Sequence, residues 1–283
     1  MRILITGADG QLGLALQAAF AGDEVHAAGH ATLDVTDSRQ VSQALASFRP
    51  DAVVHAAAWT DTAGCEREPE RALRVNGEGA GIVAEECGRA EAIIIYVSSN
   101  EVFDGEKGAP YTEEDVTRAI NAYGASKLEG ERRVRAAGGA YCIVRTSWLY
   151  GPGRQSFPEK ILAAAERGGP LRVVTDEIAS PTYTADLAGG IARLARGRAS
   201  GVFHLTNEGA CSRFEWAKEI LRLAGVSIRV EAAKQADFGA PFRKPANSTL
   251  ANREAARMGI SLRPWREALA EHMRARVPQG APS

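Results

Sequence analysis

Three glycines that directly follow the first predicted strand constrain the fold more than any other feature of the sequence. The β-branched run Arg2–Thr6 leads into the sequence GADGQLG, and a helical pattern begins at Gln11. In a βαβ unit with this spacing, Gly7 permits the tight turn, Gly10 lets the backbone approach a pyrophosphate, and Gly13 lets the helix pack on the strand. The N-terminus of such a helix attracts phosphates through its free N–H groups. The turn therefore predicts a dinucleotide site, with a purely structural turn as the alternative.

Strand and helix patterns alternate through the first half of the chain. Near-continuous apolar strands separated by amphipathic helices are typical of a parallel sheet that is covered on both faces. With right-handed crossovers, this alternation predicts an α/β fold built on a doubly wound parallel Rossmann sheet. The predicted strands are 2–6, 24–28, 52–56, 93–98 and 141–146, and the predicted helices are 11–20, 38–48 (capped by Asp37 or Ser38), 70–87 and 122–136.

The pattern changes after Tyr150, where Gly151-Pro152-Gly153 breaks the chain. We predict a dinucleotide-binding domain over 1–150, which the chain rejoins near 185–207, and a smaller, mainly substrate-binding C-terminal lobe over 151–283. In this half the predicted helices are 158–167, 214–224 and 264–277, the predicted core strand is 202–205, and residues 232–247 are predicted to be a loop.

Composition excludes several classes of protein and partner. The chain has 34 Lys plus Arg and 35 Asp plus Glu, so it lacks the basic surface that a nucleic-acid partner requires. No run of about 18 apolar residues predicts a membrane span, and the N-terminus does not resemble a secretory signal. The four cysteines lack the spacing of a zinc site or a disulfide framework, so we expect reduced thiols, no metal site and a cytoplasmic protein. They are Cys65, Cys87, Cys142 and Cys211.

A serine, a tyrosine and a lysine are the candidate catalytic residues. Ser98 and Ser99 end the fourth predicted strand, whose carboxyl end faces the ligand crevice of such a sheet. Tyr123 and Lys127 are four residues apart and share one helix face. An ammonium lowers the pKa of a nearby phenol, so Tyr123 is a candidate general acid for carbonyl reduction. Lys127 would also bind the nicotinamide ribose, and Ser99 the carbonyl oxygen; the alternative is a packed ring and a solvated ammonium.

The residue that distinguishes NADH from NADPH is missing from its usual place. In dinucleotide folds an acid at the end of the second strand binds the adenosine ribose. Here that strand ends in Ala28-Gly29-His30, which has neither an acid nor an arginine. Asp34 could accept from the adenine amine or could be a turn residue. His30 and Arg39 could meet a 2′-phosphate, although each is more often a plain surface residue.

Several motifs resemble those of a known family. They are AAAWT at 56–60, VFDG at 102–105, YGASKLEGE at 123–131, RTSWLYG at 145–151 and SPTYTADLA at 180–188. Together with the glycine turn, they resemble the dTDP-4-dehydrorhamnose reductases, a branch of the extended short-chain dehydrogenase/reductases, over nearly the whole chain. The resemblance implies reduction of the C4 keto group of dTDP-4-dehydro-6-deoxy-L-mannose to dTDP-L-rhamnose. It also implies NADPH (slightly favoured) or NADH as cofactor, a homodimer, and Mg²⁺ at a subunit contact in some members.

The resemblance also assigns residues to roles. It implies Ser99, Tyr123 and Lys127 as the catalytic set, and Ser99, Asn100 and Trp148 as substrate-binding residues. From the residues alone, Trp148 could equally be part of the core. With the three glycines, Tyr123 and Lys127, the cofactor-binding residues are Gln11, Leu12, Asp34, Val35, Ala56, Ala57 and Ala58.

Two departures from the family pattern concern the sugar pocket. The family usually has Thr-Asp-Tyr before VFDG, where this chain has Ser99-Asn100-Glu101, and its Val-Asp pair is Thr62-Ala63 here. The hydroxyl of the first residue is kept, but a carboxylate replaces a phenol at Glu101. The alternatives are therefore a reductase of another nucleotide-linked 4-keto-6-deoxy sugar, or a non-catalytic, cofactor-binding regulatory subunit such as the β subunit of methionine adenosyltransferase.

Overall fold

The structure, a computed structural model, describes residues 1–239 and 242–276, so the last residue of the predicted tail helix 264–277 lies outside the described residues. Its strands are β1 (Arg2–Thr6), β2 (Glu24–Ala28), β3 (Ala52–His55), β4 (Ile93–Ser99), β5 (Tyr141–Thr146), β6 (Leu149–Tyr150), β7 (Leu171–Val174), β8 (Ile178–Ala179), β9 (Thr182–Tyr183), β10 (Gly201–His204), β11 (Cys211–Ser212) and β12 (Val230–Ala233). Its α-helices are α1 (Gln11–Ala19), α2 (Ser38–Phe48), α3 (Thr62–Arg67), α4 (Pro69–Ala72), α5 (Gly79–Arg89), α6 (Ala122–Ala136), α7 (Phe157–Glu166), α8 (Thr184–Arg196), α9 (Arg213–Leu223), α10 (Arg253–Arg257) and α11 (Trp265–Arg276).

The central sheet has six parallel strands in the order β10-β5-β4-β3-β1-β2. The order reverses between β1 and β3, and ligands of such sheets bind outside the carboxyl ends of the strands at this switch point. The predicted doubly wound parallel Rossmann sheet is therefore confirmed. Because the strands are in register, Thr6 lies opposite His55, and Ser99 lies opposite Thr146, at the same edge.

Alternate residues of the strands pack on opposite faces of the sheet, as the period of two requires. One face, including Ile3, Ile5 and Val54, packs against α1 and α8. The other, including Leu4 and Val53, packs against α2, α5 and α6. The inner strands β1, β3, β4 and β5 are therefore buried on both sides, which is why they are mostly apolar, whereas the edge strand β2 is largely exposed.

The smaller lobe has a separate apolar cluster around the fully buried Trp216 and Trp265. Its strands form pairs, β11 with β8, β12 with β7, and β6 with β9. The chain returns to the central sheet through α8 and β10. The division into a domain over 1–150 and a lobe over 151–283 stays a prediction.

Two sequence predictions were wrong in part. The predicted helix 70–87 is interrupted by a π-helical stretch, Leu73–Glu78, between α4 and α5. The wider turn places the buried Asn76 amide against Trp59, accepting from its N–H at 2.8 Å and donating to its carbonyl at 3.0 Å. The predicted loop 232–247 begins with the last residues of β12, because a parallel pairing with β7 satisfies their backbone groups.

The remaining boundaries agree within one or two residues, the ordinary uncertainty of helix and strand ends. Asp37 caps α2, since its carboxylate accepts from the N–H groups of Arg39 at 2.9 Å and Gln40 at 3.3 Å. All four cysteines are buried and free.

Candidate active site

The glycine turn forms a cradle that side chains would fill. Gly7 has a φ of +68°, and a Cβ there would lie 2.7 Å from the Cα of Ala57. A Cβ on Gly13 would lie 2.3 Å from the carbonyl oxygen of Gly7. Gly10 is the N-cap of α1 and offers no capping side chain, so the first N–H groups of the helix remain available to an anion. This cradle fits the pyrophosphate of a dinucleotide.

The other predicted cofactor residues surround this turn in different ways. The side chains of Leu12 and Val35 are buried in the two cores of the sheet, so only their backbone can meet a ligand. The Gln11 amide donates to the Gly151 carbonyl at 2.6 Å and ties the turn to the loop after β6. Asp34 accepts from the N–H of Thr36 at 2.9 Å, and the hydrogen bonds with Thr36 lower the pKa of Asp34. Residues 56–58, predicted to line the cofactor, follow β3 and are half-buried.

The predicted catalytic residues come together at the carboxyl edge of the sheet. Ser99 ends β4 and lies close enough to the phenol of Tyr123 to act on its pKa, and Tyr123 lies in the first turn of α6 and is half-buried. Lys127 follows one turn later and is only 2% exposed. Its Nζ lies 4.2 Å from the centre of the Tyr96 ring, a cation–π contact that fixes the side chain under the site.

The electrostatics differ from the sequence expectation. Burial, followed by repulsion from the Glu101 carboxylate, raises the pKa of the Tyr123 phenol well above its ordinary value, and the nearby Ser99 hydroxyl opposes this only in part. Burial also lowers the pKa of Lys127 to about 7. The pKa of Tyr123 is therefore raised and not lowered as the sequence predicted, because burial penalises the charged forms of both groups.

The start of α6 is fixed by an asparagine and a glycine. The Asn121 side-chain oxygen accepts from the Gly124 N–H at 2.8 Å, and its amide donates to the Glu101 carboxylate at 2.8 Å. A Cβ on Gly124 would lie 2.0 Å from the Glu101 carbonyl oxygen. Helix α6 can therefore approach the segment after β4 this closely, and bring Tyr123 to Ser99, only with glycine at position 124.

The predicted substrate residues lie beside this segment. Asn100 is buried, and its amide donates to the Ser248 hydroxyl at 2.6 Å, while its oxygen accepts from the Ser99 hydroxyl at 3.3 Å. Its side chain is thus engaged in positioning Ser99. Trp148 has a φ of +46°, and the Arg213 guanidinium lies 3.6 Å from its ring centre.

Two residues near the site carry no sequence signal that singled them out. Arg213 is packed among aromatic rings and is paired with Glu177 at 3.4 Å, and its charge acts on Glu101. His55 ends β3, and its Nδ1 hydrogen bonds the Thr6 hydroxyl at 2.8 Å. Burial and the charge of Lys127 lower the pKa of His55 to about 3, so this ring is neutral. Only their positions at strand or helix ends could have pointed to them.

Residues 1–239 and 242–276 contain neither a cluster of metal-ligand side chains nor a membrane-spanning helix. No three His, Cys, Asp or Glu side chains gather there as metal ligands usually do. Within the same part of the chain, no helix is long and apolar enough to cross a membrane.

Comparisons with known proteins give full-length matches. The family model described as RmlD substrate binding domain matches residues 1–277. The spore coat polysaccharide biosynthesis protein SpsK of Bacillus subtilis strain 168 is 39% identical over 277 residues, covering 97% of this chain and 98% of the relative. The dTDP-4-dehydrorhamnose reductase of Streptomyces griseus is 38% identical over 280 residues, covering 95% and 92%. The crystal structure of the Bacillus anthracis dTDP-4-dehydrorhamnose reductase in complex with NADP has a TM-score of 0.94 and 35% identity, covering 97% and 99%.

Proposed function

The chain belongs to the RmlD substrate binding domain family, and on that premise we propose that it is an NAD(P)H-dependent reductase of a dTDP-linked sugar. The substrate is dTDP-4-dehydro-6-deoxy-L-mannose, and reduction of its C4 keto group gives dTDP-L-rhamnose. The observation that carries the proposal is the meeting of Ser99, Tyr123 and Lys127 at the sheet edge that also carries the glycine turn. A family match over residues 1–277 supports it independently.

Each of the three site residues has a separate proposed role in the reduction of the ketone. A bound reduced nicotinamide supplies a hydride to the carbonyl carbon and is itself oxidised. Tyr123 donates its phenolic proton to the carbonyl oxygen, and Ser99 donates a hydrogen bond to the same oxygen as negative charge develops. Lys127 binds the nicotinamide ribose hydroxyls and compensates the phenolate that Tyr123 becomes. The position of Ser99 at the carboxyl end of β4 and of Tyr123 and Lys127 in the first turns of α6 supports these proposed roles.

The raised pKa of Tyr123 suits the direction of this reaction. A phenol with a raised pKa stays protonated at neutral pH and is therefore ready to donate. The acceptor is an alkoxide in formation, which is a stronger base than a phenolate, so the transfer remains favourable. After transfer, a protonated Lys127 beside the site stabilises the negative phenolate.

The proposed cofactor contacts use backbone and side chains differently. The N–H groups at Gly10, Gln11 and Leu12 bind the pyrophosphate, the close approach being allowed by Gly7 and Gly13. The oxygen of Asp34 that Thr36 leaves free accepts from the adenine amine. The backbone of Val35 and of Ala56, Ala57 and Ala58 completes the wall of the crevice.

The test is an absorbance assay with the purified chain, the dTDP-keto sugar and either NADPH or NADH. We expect Tyr123→Phe to keep cofactor binding but to lose about 10²- to 10⁴-fold in kcat, the usual contribution of a general acid. The matched control is Tyr141→Phe, at the opposite end of the sheet on β5. Full activity of Tyr123→Phe would exclude the proton-donor role, and no turnover by wild type with either cofactor would reject the reductase.

A second candidate, reduction of a different nucleotide-linked 4-keto-6-deoxy sugar, is favoured by Glu101. This carboxylate stands where the family usually has a tyrosine, and it lies near Tyr123, Arg213 and Lys244. Burial raises the pKa of Glu101, while Lys244, the Asn121 hydrogen bond and Arg213 lower it. A charged pocket of this kind selects different sugar substituents from an aromatic one. The same assay with a panel of epimeric and amino-substituted keto sugars decides between the two by kcat/KM.

The cellular location is proposed from the cysteines, and the oligomeric state and the metal from the family resemblance. Four free, buried cysteines fit a reducing compartment, and we place the protein in the cytoplasm. A homodimer remains a prediction from the family resemblance. The Mg²⁺ that the resemblance implies at a subunit contact gains no support from the described residues.

A further inference from the structure

The end of β2 lacks the acid that dinucleotide-binding folds use to hold the adenosine ribose. Strand β2 ends at Ala28, and the buried Gly29 and exposed His30 follow it. In this fold the residue just after the second strand faces the 2′- and 3′-hydroxyls of the ribose. Without a side chain at Gly29, that function must come from elsewhere or be absent.

A carboxylate from the glycine turn occupies the space that a side chain on Gly29 would need. A Cβ built on Gly29 would lie 1.7 Å from Oδ2 of Asp9 and 2.8 Å from its Oδ1. The Ala8 N–H donates to the Ala28 carbonyl at 3.1 Å and ties the turn to the strand end. The Asp9 side chain is exposed at the mouth of the crevice. An acid therefore lies directly at the end of β2, although the sequence of β2 does not contain it.

We propose that Asp9 is the ribose-binding acid of this chain and that it makes the site prefer NADH over NADPH. The inference rests on the proposed function, whose cofactor site it refines. A carboxylate accepts hydrogen bonds from ribose hydroxyls, and these charge-assisted bonds are stronger than neutral ones. A 2′-phosphate in the same place would bring like charges together, which repel at short range. The crystal structure of the Bacillus anthracis relative contains NADP. The preference for NADH is therefore inferred from Asp9 of this chain and not from that relative.

Other charged groups around the end of β2 do not reverse this preference. His30 and Arg39 are the nearby basic candidates, and both are exposed. Asp34 and Asp37 follow in the same segment, and the pKa of Asp34 is lowered by the charge of His30 and raised by that of Asp37. A phosphate at this point would meet the Asp9 carboxylate, and the buried Gly29 beside it brings no positive charge. For a ribose diol, the same carboxylate is a hydrogen-bond acceptor.

The test measures binding without the sugar substrate, by fluorescence titration or calorimetry of the full chain with NADH and with NADPH. We expect wild type to bind NADH at least about tenfold more tightly than NADPH. NADH gains a charge-assisted hydrogen bond to Asp9 and avoids the repulsion that the 2′-phosphate of NADPH would meet. Asp9→Asn should bring the two dissociation constants to within about threefold of each other, and Asp9→Arg should reverse the preference.

The matched control is Asp51→Asn, which removes the same charge at the amino end of β3. Its amide oxygen can still accept from the Arg2 N–H, as the carboxylate does at 2.7 Å. We expect Asp51→Asn to leave the NADH to NADPH ratio of wild type unchanged. Tighter binding of NADPH by wild type, or an unaltered ratio in Asp9→Asn, would overturn the inference and leave the reductase proposal standing. Failure to bind either dinucleotide would refute both.

Discussion

Replacing Gly124 by alanine tests whether the position of α6 sets the rate. The new Cβ would lie 2.0 Å from the Glu101 carbonyl oxygen and 3.2 Å from the Ala119 Cβ. Since carbon and oxygen rarely approach closer than about 3.2 Å, the start of α6 must move by roughly 1 Å. Tyr123 is the preceding residue and moves with it, away from Ser99.

The expected result is a loss of about 10²-fold in kcat, because a misplacement of about 1 Å can cost that much. Dinucleotide affinity should change little, since the glycine turn lies at the start of α1, apart from this contact. Stability should fall by no more than about 2 kcal/mol, because overpacking costs about 1–3 kcal/mol and the higher helix propensity of alanine offsets about 1 kcal/mol.

The matched control for Gly124→Ala is Gly189→Ala, in the middle of α8. A Cβ on Gly189 has no neighbouring atom within 4 Å. The same chemical change there should leave kcat unaltered and should keep or raise stability. The assay is steady-state reduction with dinucleotide titration and urea unfolding on both variants. Wild-type kcat in Gly124→Ala would refute the claim that this close approach positions Tyr123.

Two further outcomes follow from buried groups. Burial lowers the pKa of Lys127 in the folded chain to about 7, whereas an unfolded lysine titrates near ~10.4, so between these values the unfolded chain binds more protons and stability rises with pH. Lys127 contributes at most about 1.4 kcal/mol per pH unit to the free energy of unfolding. The measurement is urea unfolding of wild type and of Lys127→Met from pH 7 to 9, and we expect the difference between their unfolding free energies to rise with pH. A flat or falling difference would contradict the burial of Lys127. Asn76→Ala removes a wholly buried amide that hydrogen bonds both the N–H and the carbonyl of Trp59. We expect the free energy of unfolding in urea to fall by about 2–3 kcal/mol. A change below about 0.5 kcal/mol would show that the hydrogen bonds between Asn76 and Trp59 do not stabilise the fold.

The sequence pattern predicted the central sheet because its inner strands β1, β3, β4 and β5 are buried on both faces. The strands Ile93–Ser99 and Tyr141–Thr146 begin with apolar runs and become polar only at their carboxyl ends, and helices cover both of their faces. The same signal failed at Leu73–Glu78, because a π-helical turn has the composition of an α-helix and differs only in which carbonyl each N–H meets. It failed at β12 because two-stranded pairings depend on a partner far away in the chain.

The sequence predicted which residues form the candidate site, but it did not predict the direction of their pKa shifts. Motif and helix pitch placed Tyr123 and Lys127 on one face, and the structure brings Ser99 to Tyr123. The direction of their pKa values depends on how completely other elements cover them, which sequence spacing does not contain. Asp9 is similar, because its position opposite Gly29 follows from the pairing of β1 with β2 and not from its own neighbours.

The two shifted pKa values have a common consequence for the reaction cycle. Burial keeps the Tyr123 phenol protonated and lowers the pKa of Lys127 to about 7. A dinucleotide diphosphate and a nucleotide-sugar both bring negative charge, which favours the protonated ammonium. In the proposed reaction, a protonated Lys127 compensates the phenolate that Tyr123 becomes when it donates its proton. The burial that raises the pKa of the phenol therefore keeps the proton on Tyr123 until a more basic acceptor, the developing alkoxide, is formed beside it.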